Sequence, residues 1–103
     1  APVVFELANG PITPEADEIL SNKGIIVIPD ILANSGGVTV SCYEWQQNLR
    51  KEKWNTDKID SMLKQNMEKN TREVLDSAKR YKCDNRTGAY ILAMKRIAED
   101  FVF

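Results

Sequence analysis

The chain has 103 residues, of which 43% are hydrophobic and 28% charged, and its formal net charge is -1. This size and composition predict one small, soluble, globular domain, and the nearly balanced charge offers no attraction to nucleic acid or to an anionic membrane. The sequence contains no histidine, which excludes Ser-His-Asp and Cys-His catalysis and most transition-metal sites, so we predict no metal site.

The compartment is predicted from what the sequence lacks. The longest apolar run, Ile25–Ile28, is too short to span a bilayer, and the first residues show no signal-peptide pattern. We therefore expect a cytoplasmic protein. Cys42 and Cys83 are expected to be buried free thiols, as is usual in a reducing compartment.

The first thirty residues predict a βαβ unit. Residues 3–7 are apolar apart from Glu6 and predict a short buried strand. Thr13 and Pro14 are typical of a helix start, and Gly24 of a helix end, so a helix is predicted between them. Residues 24–30 predict a second strand, whose continuous apolar run favours burial on both faces and a parallel sheet.

The remainder of the chain predicts three helices. Apolar residues recur at helical spacing from Gly37 to about Leu49, then in a long stretch that Thr56 would cap and that runs to Tyr81, and finally over residues 89–101. Met62 and Met67, on the long helix, are expected to fill gaps in the core. Because two parallel strands are too few for a stable sheet, and because the first strand begins almost at residue 1, we expect this chain to be part of a larger domain.

Both predicted strands are followed by a polar turn that contains asparagine and glycine. The first turn is Ala8-Asn9-Gly10-Pro11, and the second is Ala33-Asn34-Ser35-Gly36-Gly37. Ligands of open parallel sheets bind beyond the carboxyl ends of the strands, where these two turns would lie side by side. Two interpretations are open at this point: ordinary turn chemistry, or the edge of a ligand site.

Four segments of the sequence carry a resemblance to a known family. The segments are Ala8-Asn9-Gly10-Pro11-Ile12-Thr13-Pro14-Glu15-Ala16-Asp17, Ile28-Pro29-Asp30-Ile31-Leu32-Ala33-Asn34-Ser35-Gly36-Gly37-Val38-Thr39-Val40-Ser41, Tyr43-Glu44-Trp45-Gln46-Gln47-Asn48 and, near the end, Arg86-Thr87-Gly88-Ala89-Tyr90. They resemble the C-terminal part of glutamate dehydrogenase, within the Glu/Leu/Phe/Val dehydrogenase family. The short connection that follows Asn48 is similar to that of the compact bacterial and archaeal members.

The resemblance implies an α/β fold, the C-terminal half of a Rossmann-like dinucleotide-binding domain, with one βαβ unit followed by about three helices. Residues 1–103 would be a partial NAD(P)-binding domain that lacks the substrate domain and the glycine-rich phosphate-binding half. The family catalyses the reversible, NAD- or NADP-dependent oxidative deamination of L-glutamate to 2-oxoglutarate and ammonia. Its members are hexamers, so the resemblance implies that the parent protein is a homohexamer.

The resemblance also implies roles for five residues. Ala8 and Asn9 would lie beside the nicotinamide ribose, and Asn34 would bind the nicotinamide end of the cofactor. Val38 and Ser41 would line the substrate pocket, with the Ser41 hydroxyl bonded to the side-chain carboxylate of glutamate. Their spacing of three residues would place Val38 and Ser41 on one helix face.

The catalytic lysine and aspartate of the family have no counterpart in these residues, so we predict no catalytic residue here and no activity of the chain alone. Leu7 stands where the family commonly has glycine, and Ser35 where alanine is usual. No residue that would distinguish NAD from NADP is present. Two alternatives are a non-catalytic interaction module derived from this half-domain and a dehydrogenase of another amino acid.

Overall fold

The computed structural model describes residues 2–101, which form a two-stranded parallel sheet and five helices. The α/β class and the parallel strand pair are therefore as predicted. None of the helices in this described range combines the length and the apolar character needed to cross a membrane. In chain order the elements are β1 Val3–Phe5, α1 Pro14–Asn22, β2 Ile26–Ile28, α2 Asp30–Ala33, α3 Ser35–Arg50, α4 Thr56–Arg80 and α5 Asn85–Asp100.

The βαβ unit forms for the local reasons that the sequence indicates. The Thr13 hydroxyl accepts a hydrogen bond from the Ala16 N–H at 3.2 Å and caps α1, while Pro14 occupies the first helical turn, where no N–H is required. Gly24 follows α1 with a φ of +69°, a left-handed conformation that suits glycine. β2 then pairs in parallel with β1, Val3 opposite Ile26 and Phe5 opposite Ile28.

The strands are shorter and more exposed than predicted. Both span three residues, although the Glu6 N–H still donates to the Ile28 carbonyl at 3.1 Å. Phe5 is 64% exposed and Ile26 is 50% exposed, so the expected burial of both sheet faces is wrong within this chain. The helices within residues 2–101 leave these side chains of the sheet uncovered.

The second polar turn is more helical than predicted. Pro29 precedes a short helix, α2, which was not predicted, and Asn34 separates α2 from α3. α3 begins at Ser35, so Gly36 and Gly37 lie in its first turn and not in a loop. The Ser35 hydroxyl donates to the Leu32 carbonyl at 2.7 Å, which ties the start of α3 back to α2.

Two helix starts also differ from the prediction. The N-cap of α4 is Asn55, whose side-chain oxygen accepts from the Lys58 N–H at 2.8 Å, so the prediction of Thr56 as the cap is wrong by one residue. Asparagine and threonine are both good caps, and the sequence contains them side by side. α5 starts four residues before Ala89, because Asp84 accepts the Thr87 N–H at 2.7 Å and caps the helix there.

The core lies where α4 and α5 pack over β2 and α2. Leu32, Val74 and Ala89 are buried against one another, and Ile28 and Leu92 pack around them. Met62 and Met67, which were expected to fill gaps in the core, are half-buried, and Met67 accepts a hydrogen bond from the Ser35 hydroxyl. Both cysteines are free, as predicted, but their expected burial is not observed, because Cys42 is exposed and Cys83 is only half-buried.

Gly88 allows α5 to cross α4 closely, which generates the first prediction. A Cβ on Gly88 would lie 2.7 Å from the Ala78 backbone nitrogen and 2.9 Å from its Cα, and backbone atoms cannot move aside as a side chain can. We expect Gly88→Ala to lower the free energy of unfolding by about 1–3 kcal/mol, in the range for overpacking of a core. Urea unfolding followed by circular dichroism measures this change.

Gly37→Ala is the matched control for stability, because it also adds one methyl group to a helical glycine. No heavy atom lies within 4 Å of the Cβ position at Gly37. We expect this variant to be as stable as the wild type or more stable, by up to about 1 kcal/mol. Equal destabilisation by both substitutions would show that helix packing at Gly88 is not the cause.

Candidate functional site

The two polar turns meet at the carboxyl edge of the sheet, as predicted for parallel strands. The side-chain amide of Asn34 donates a hydrogen bond to the side-chain oxygen of Asn9 at 2.7 Å, although the two residues are 25 positions apart. Asn9 is exposed and Asn34 is half-buried. The structure thus brings together two of the residues to which the resemblance assigns cofactor contacts, and Ala8 is exposed beside them.

Asp30 contacts both turns. Its carboxylate oxygen Oδ2 accepts a hydrogen bond from the Gly10 N–H at 2.8 Å, and its main-chain carbonyl accepts from the Asn34 N–H at 3.0 Å. Gly10 has a φ of +56°, a conformation that residues with side chains rarely adopt. One residue therefore holds the backbone of the first turn beside Asn9 and the backbone of the second turn at Asn34.

The carboxylate of Asp30 belongs to a cluster around one arginine. The guanidinium of Arg86 lies 2.7 Å from Glu6 Oε1, 3.0 Å from Asp17 Oδ2 and 3.5 Å from Asp30 Oδ1. Glu6 is only 2% exposed, and its Oε1 also accepts the Asp30 N–H at 3.1 Å. Within residues 2–101, the second carboxylate oxygen of Glu6 is buried and has no hydrogen-bond partner.

The electrostatics of this cluster favour the ionised forms of Arg86 and Asp30. Hydrogen bonding to Asp17, and then to Glu6, raises the pKa of the Arg86 guanidinium above its ordinary value, against the opposing effect of burial. The hydrogen bond from the Gly10 N–H lowers the pKa of Asp30, assisted by the Ile31 N–H and the Arg86 charge. Both groups therefore stay charged at neutral pH.

The sequence analysis did not identify Glu6, Asp30 or Arg86 as residues that support a site. Each carries a signal in the sequence. Glu6 is the only charged residue in an apolar strand segment, and Asp30 directly follows the second strand. Arg86 lies in the first turn of α5, where a cation is unfavourable toward the helix dipole unless acidic groups surround it.

Val38 and Ser41 lie on α3, one and two turns beyond Asn34. Both are exposed, Val38 by 70%, and the Ser41 hydroxyl donates to the Gly37 carbonyl of its own helix at 3.1 Å. At a helical rise of 1.5 Å per residue, Ser41 lies roughly 10 Å along α3 from Asn34. The structure thus brings Asn9 and Asn34 into contact, whereas no contact joins Val38 or Ser41 to that pair among the hydrogen bonds of residues 2–101.

The asparagine pair has hydrogen-bonding capacity for a ligand. The bond between them uses one N–H of Asn34 and one lone pair of Asn9, so further N–H donors and carbonyl lone pairs remain. A carboxamide group, which both donates and accepts, would complement such a pair. The donors and acceptors of this edge therefore suit a polar planar group.

Comparison with known proteins gives consistent matches over the whole chain. The sequence profile of the Glutamate/Leucine/Phenylalanine/Valine dehydrogenase family matches residues 1–102. Glutamate dehydrogenase of Thermotoga maritima is 52% identical over 98 residues, which are 95% of this chain and 24% of that protein.

Two solved structures share the fold closely. Glutamate dehydrogenase of Peptoniphilus asaccharolyticus superposes with a TM-score of 0.91 at 42% identity, over 95% of this chain and 25% of that one. The hetero-hexameric glutamate dehydrogenase of Thermus thermophilus, in its Leu-bound form, has a TM-score of 0.92 at 33% identity, over 100% of this chain and 26% of that one. The chain thus spans about a quarter of the length of these relatives.

The Asp30 carboxylate generates a prediction of pH dependence. Because the fold lowers the pKa of Asp30 below its ordinary value of 3.8, its contribution to stability is present above that value and is lost as the pH falls through the lower, folded value. We expect Asp30→Asn to be less stable than the wild type at pH 7, and this difference in free energy of unfolding to narrow toward pH 3. Urea unfolding at pH 7, 5 and 3 measures the difference, and a gap that stays constant with pH would contradict the prediction.

Proposed function

The chain belongs to the Glutamate/Leucine/Phenylalanine/Valine dehydrogenase family, and from this membership we propose that it is the C-terminal part of the NAD(P)-binding domain of a glutamate dehydrogenase. The proposed reaction of the longer protein is the reversible oxidative deamination of L-glutamate to 2-oxoglutarate and ammonia. The single observation that carries the proposal is the hydrogen-bonded Asn9–Asn34 pair at the carboxyl edge of a parallel sheet, in a chain 52% identical to a glutamate dehydrogenase.

In this proposal residues 1–103 form one half of a Rossmann-like domain, and the substrate domain and the phosphate-binding half are supplied by other residues of the longer protein. This chain spans about a quarter of the length of its relatives, which supports the proposal that other residues supply the remaining parts. The exposed apolar side chains Phe5 and Leu7, at 64% and 73%, support it also, because a sheet completed by further strands and domains would cover them. We further propose that the longer protein is a hexamer, since the Thermus thermophilus relative is hetero-hexameric; that its six subunits are identical is what the family resemblance implies.

The cofactor would lie across the asparagine pair. NAD or NADP supplies the acceptor for the hydride that leaves the amino acid. Asn34 would bind the carboxamide of the nicotinamide, and Ala8 and Asn9 would border its ribose. The fit rests on the remaining donors and acceptors of the asparagine pair, on the exposure of Ala8 and Asn9, and on the small side chain of Ala8, which leaves the backbone approachable.

The substrate would lie one to two turns along α3. Val38 would contact the aliphatic part of glutamate, and Ser41 would donate its hydroxyl hydrogen to the side-chain carboxylate. A hydroxyl has one hydrogen, so Ser41 would exchange its bond to the Gly37 carbonyl for one to the substrate. The charged acceptor makes this exchange favourable, because hydrogen bonds to carboxylates are stronger than those to neutral carbonyls.

The role of this chain in the reaction is therefore binding and orientation. Asn34 would bind the nicotinamide end and Ser41 the glutamate carboxylate, and these two residues lie about 10 Å apart along the axis of α3. Proton transfer from the amino group falls to residues outside this chain. A water-excluding cleft would likewise form only against another domain, because Val38 is 70% exposed here.

We expect the isolated chain to be inactive, and its sequence to be functional in the context of a complete enzyme. The matched 98 residues of the Thermotoga maritima glutamate dehydrogenase can be replaced by those of this chain. The expected result is glutamate-dependent reduction of NAD or NADP by this chimera, followed at 340 nm, and none by the isolated chain. An inactive but folded and hexameric chimera would favour a non-catalytic interaction module, and activity of the isolated chain would falsify the division of labour.

The substrate role of Ser41 is tested in the same chimera. We expect Ser41→Ala to lower kcat/KM for glutamate roughly ten- to a hundredfold, because one hydrogen bond to a charged group contributes about 1.5–3 kcal/mol. The activity toward norvaline, which lacks the side-chain carboxylate but keeps the α-carboxylate, should not fall. Thr39→Val is the matched control, since that hydroxyl donates to the Ser35 carbonyl on another face of α3. Equal loss for glutamate and norvaline would remove the proposed role and favour a dehydrogenase of another amino acid.

A further inference from the structure

The geometry around Asp30 points to a role beyond packing. The Asn9–Asn34 contact joins two turns whose only covalent connection is through α1 and β2. Asn9 is an exposed residue in an irregular turn, and a side-chain hydrogen bond exposed to water contributes little to holding such a turn in place. Something else must therefore keep the two amides in register.

Asp30 supplies that restraint through three hydrogen bonds. Its Oδ2 holds the Gly10 N–H at 2.8 Å, its carbonyl holds the Asn34 N–H at 3.0 Å, and its Oδ1 accepts the Ile31 N–H at 2.8 Å. The first bond restrains the residue next to Asn9, and the second restrains Asn34 itself. The third fixes the carboxylate against its own helix, α2.

The carboxylate is in turn held by charged groups on the neighbouring elements. Arg86 of α5 contacts Asp30 and also binds Asp17 of α1 and the buried Glu6, which follows β1. The Asp30 side chain is 14% exposed, so water competes little for its oxygens. Glu6 also accepts the Asp30 N–H at 3.1 Å, which fixes the backbone of Asp30 from the opposite side.

We propose that Asp30, held by Arg86 and Glu6, is a positioning residue that sets the geometry of the Asn9–Asn34 pair. It acts through Gly10 and through the start of α3, and it does not itself contact cofactor or substrate. The importance of this role for catalysis rests on the proposed function, whereas the geometric role does not.

The geometric role is tested on the 15N-labelled chain by NMR. We expect Asp30→Ala to speed hydrogen exchange of the Gly10 N–H roughly tenfold or more and to abolish the nuclear Overhauser contact between the side chains of Asn9 and Asn34. Asp17→Ala is the matched control, because it removes a carboxylate of the same cluster that contacts neither turn. It should leave both signals unchanged. Wild-type signals in Asp30→Ala, or equal disturbance by Asp17→Ala, would overturn the proposal.

An acid titration of the wild-type chain keeps the test decisive if Asp30→Ala does not fold. The Gly10 backbone amide and the Asn34 side-chain amide should shift together, with one midpoint, as Asp30 takes up a proton. Because Glu6, Asp17 and Arg86 face the same carboxylate, the midpoint belongs to the cluster as a whole. An Asn34 amide that does not follow Gly10 would overturn the proposal.

The catalytic consequence is measured in the Thermotoga maritima chimera. We expect Asp30→Asn to raise KM for the nicotinamide cofactor fivefold or more with a smaller change in kcat, and Asp17→Asn to change neither by more than twofold. An inactive unsubstituted chimera would count against the proposed function and leave the NMR result standing. A normal KM in Asp30→Asn, with an active unsubstituted chimera, would overturn the positioning role in catalysis.

Discussion

The ion pairs of the Arg86 guanidinium are the interaction on which the arrangement of this chain depends. It joins the start of α5 to the residue after β1, to α1 and to α2 through three carboxylates, of which Glu6 is almost completely buried. Removing one partner of a buried ion pair leaves an uncompensated charge and typically costs about 3–5 kcal/mol. A small sheet of two strands has little apolar burial to offset such a loss, so loss of the buried Arg86–Glu6 pair would cost these elements the most stability.

The same cluster connects stability to the carboxyl edge of the sheet. Carboxylates that neutralise Arg86 also accept the N–H of Gly10, in the first polar turn, and the N–H of Asp30, at the start of α2. Irregular turns have few contacts of their own, and a buried ionic network can give them one fixed geometry. The turn at Gly10 is therefore linked, through the Asp30 carboxylate, to an ion-pair cluster centred on Arg86 of α5.

The sequence predicted the helices and strands more accurately than it predicted their burial. The Thr13 cap, the parallel strand pair and the long α4 follow from local chemistry and apolar spacing, and all three are observed. The prediction that both strands are buried was wrong. The burial of a sheet depends on the elements that cover it, and the described helices leave Phe5 and Ile26 exposed. The glycines of the second turn lie in α3 and not in a loop, because α3 begins directly after α2. The hydrogen bond from the Ser35 hydroxyl to the Leu32 carbonyl joins the two helices there.

The candidate site divides in the same way. The sequence by itself determined which residue types follow each strand, and hence that Asn9 and Asn34 belong to the same sheet edge, because parallel strands end on the same side. Only the tertiary structure decided that the two amides are in hydrogen-bond contact and that Asp30, Glu6 and Arg86 form a charged cluster beside them. Arg86 is 56 positions from Asp30 and 80 from Glu6, and no local pattern encodes a contact that exists only once α5 has docked on the sheet.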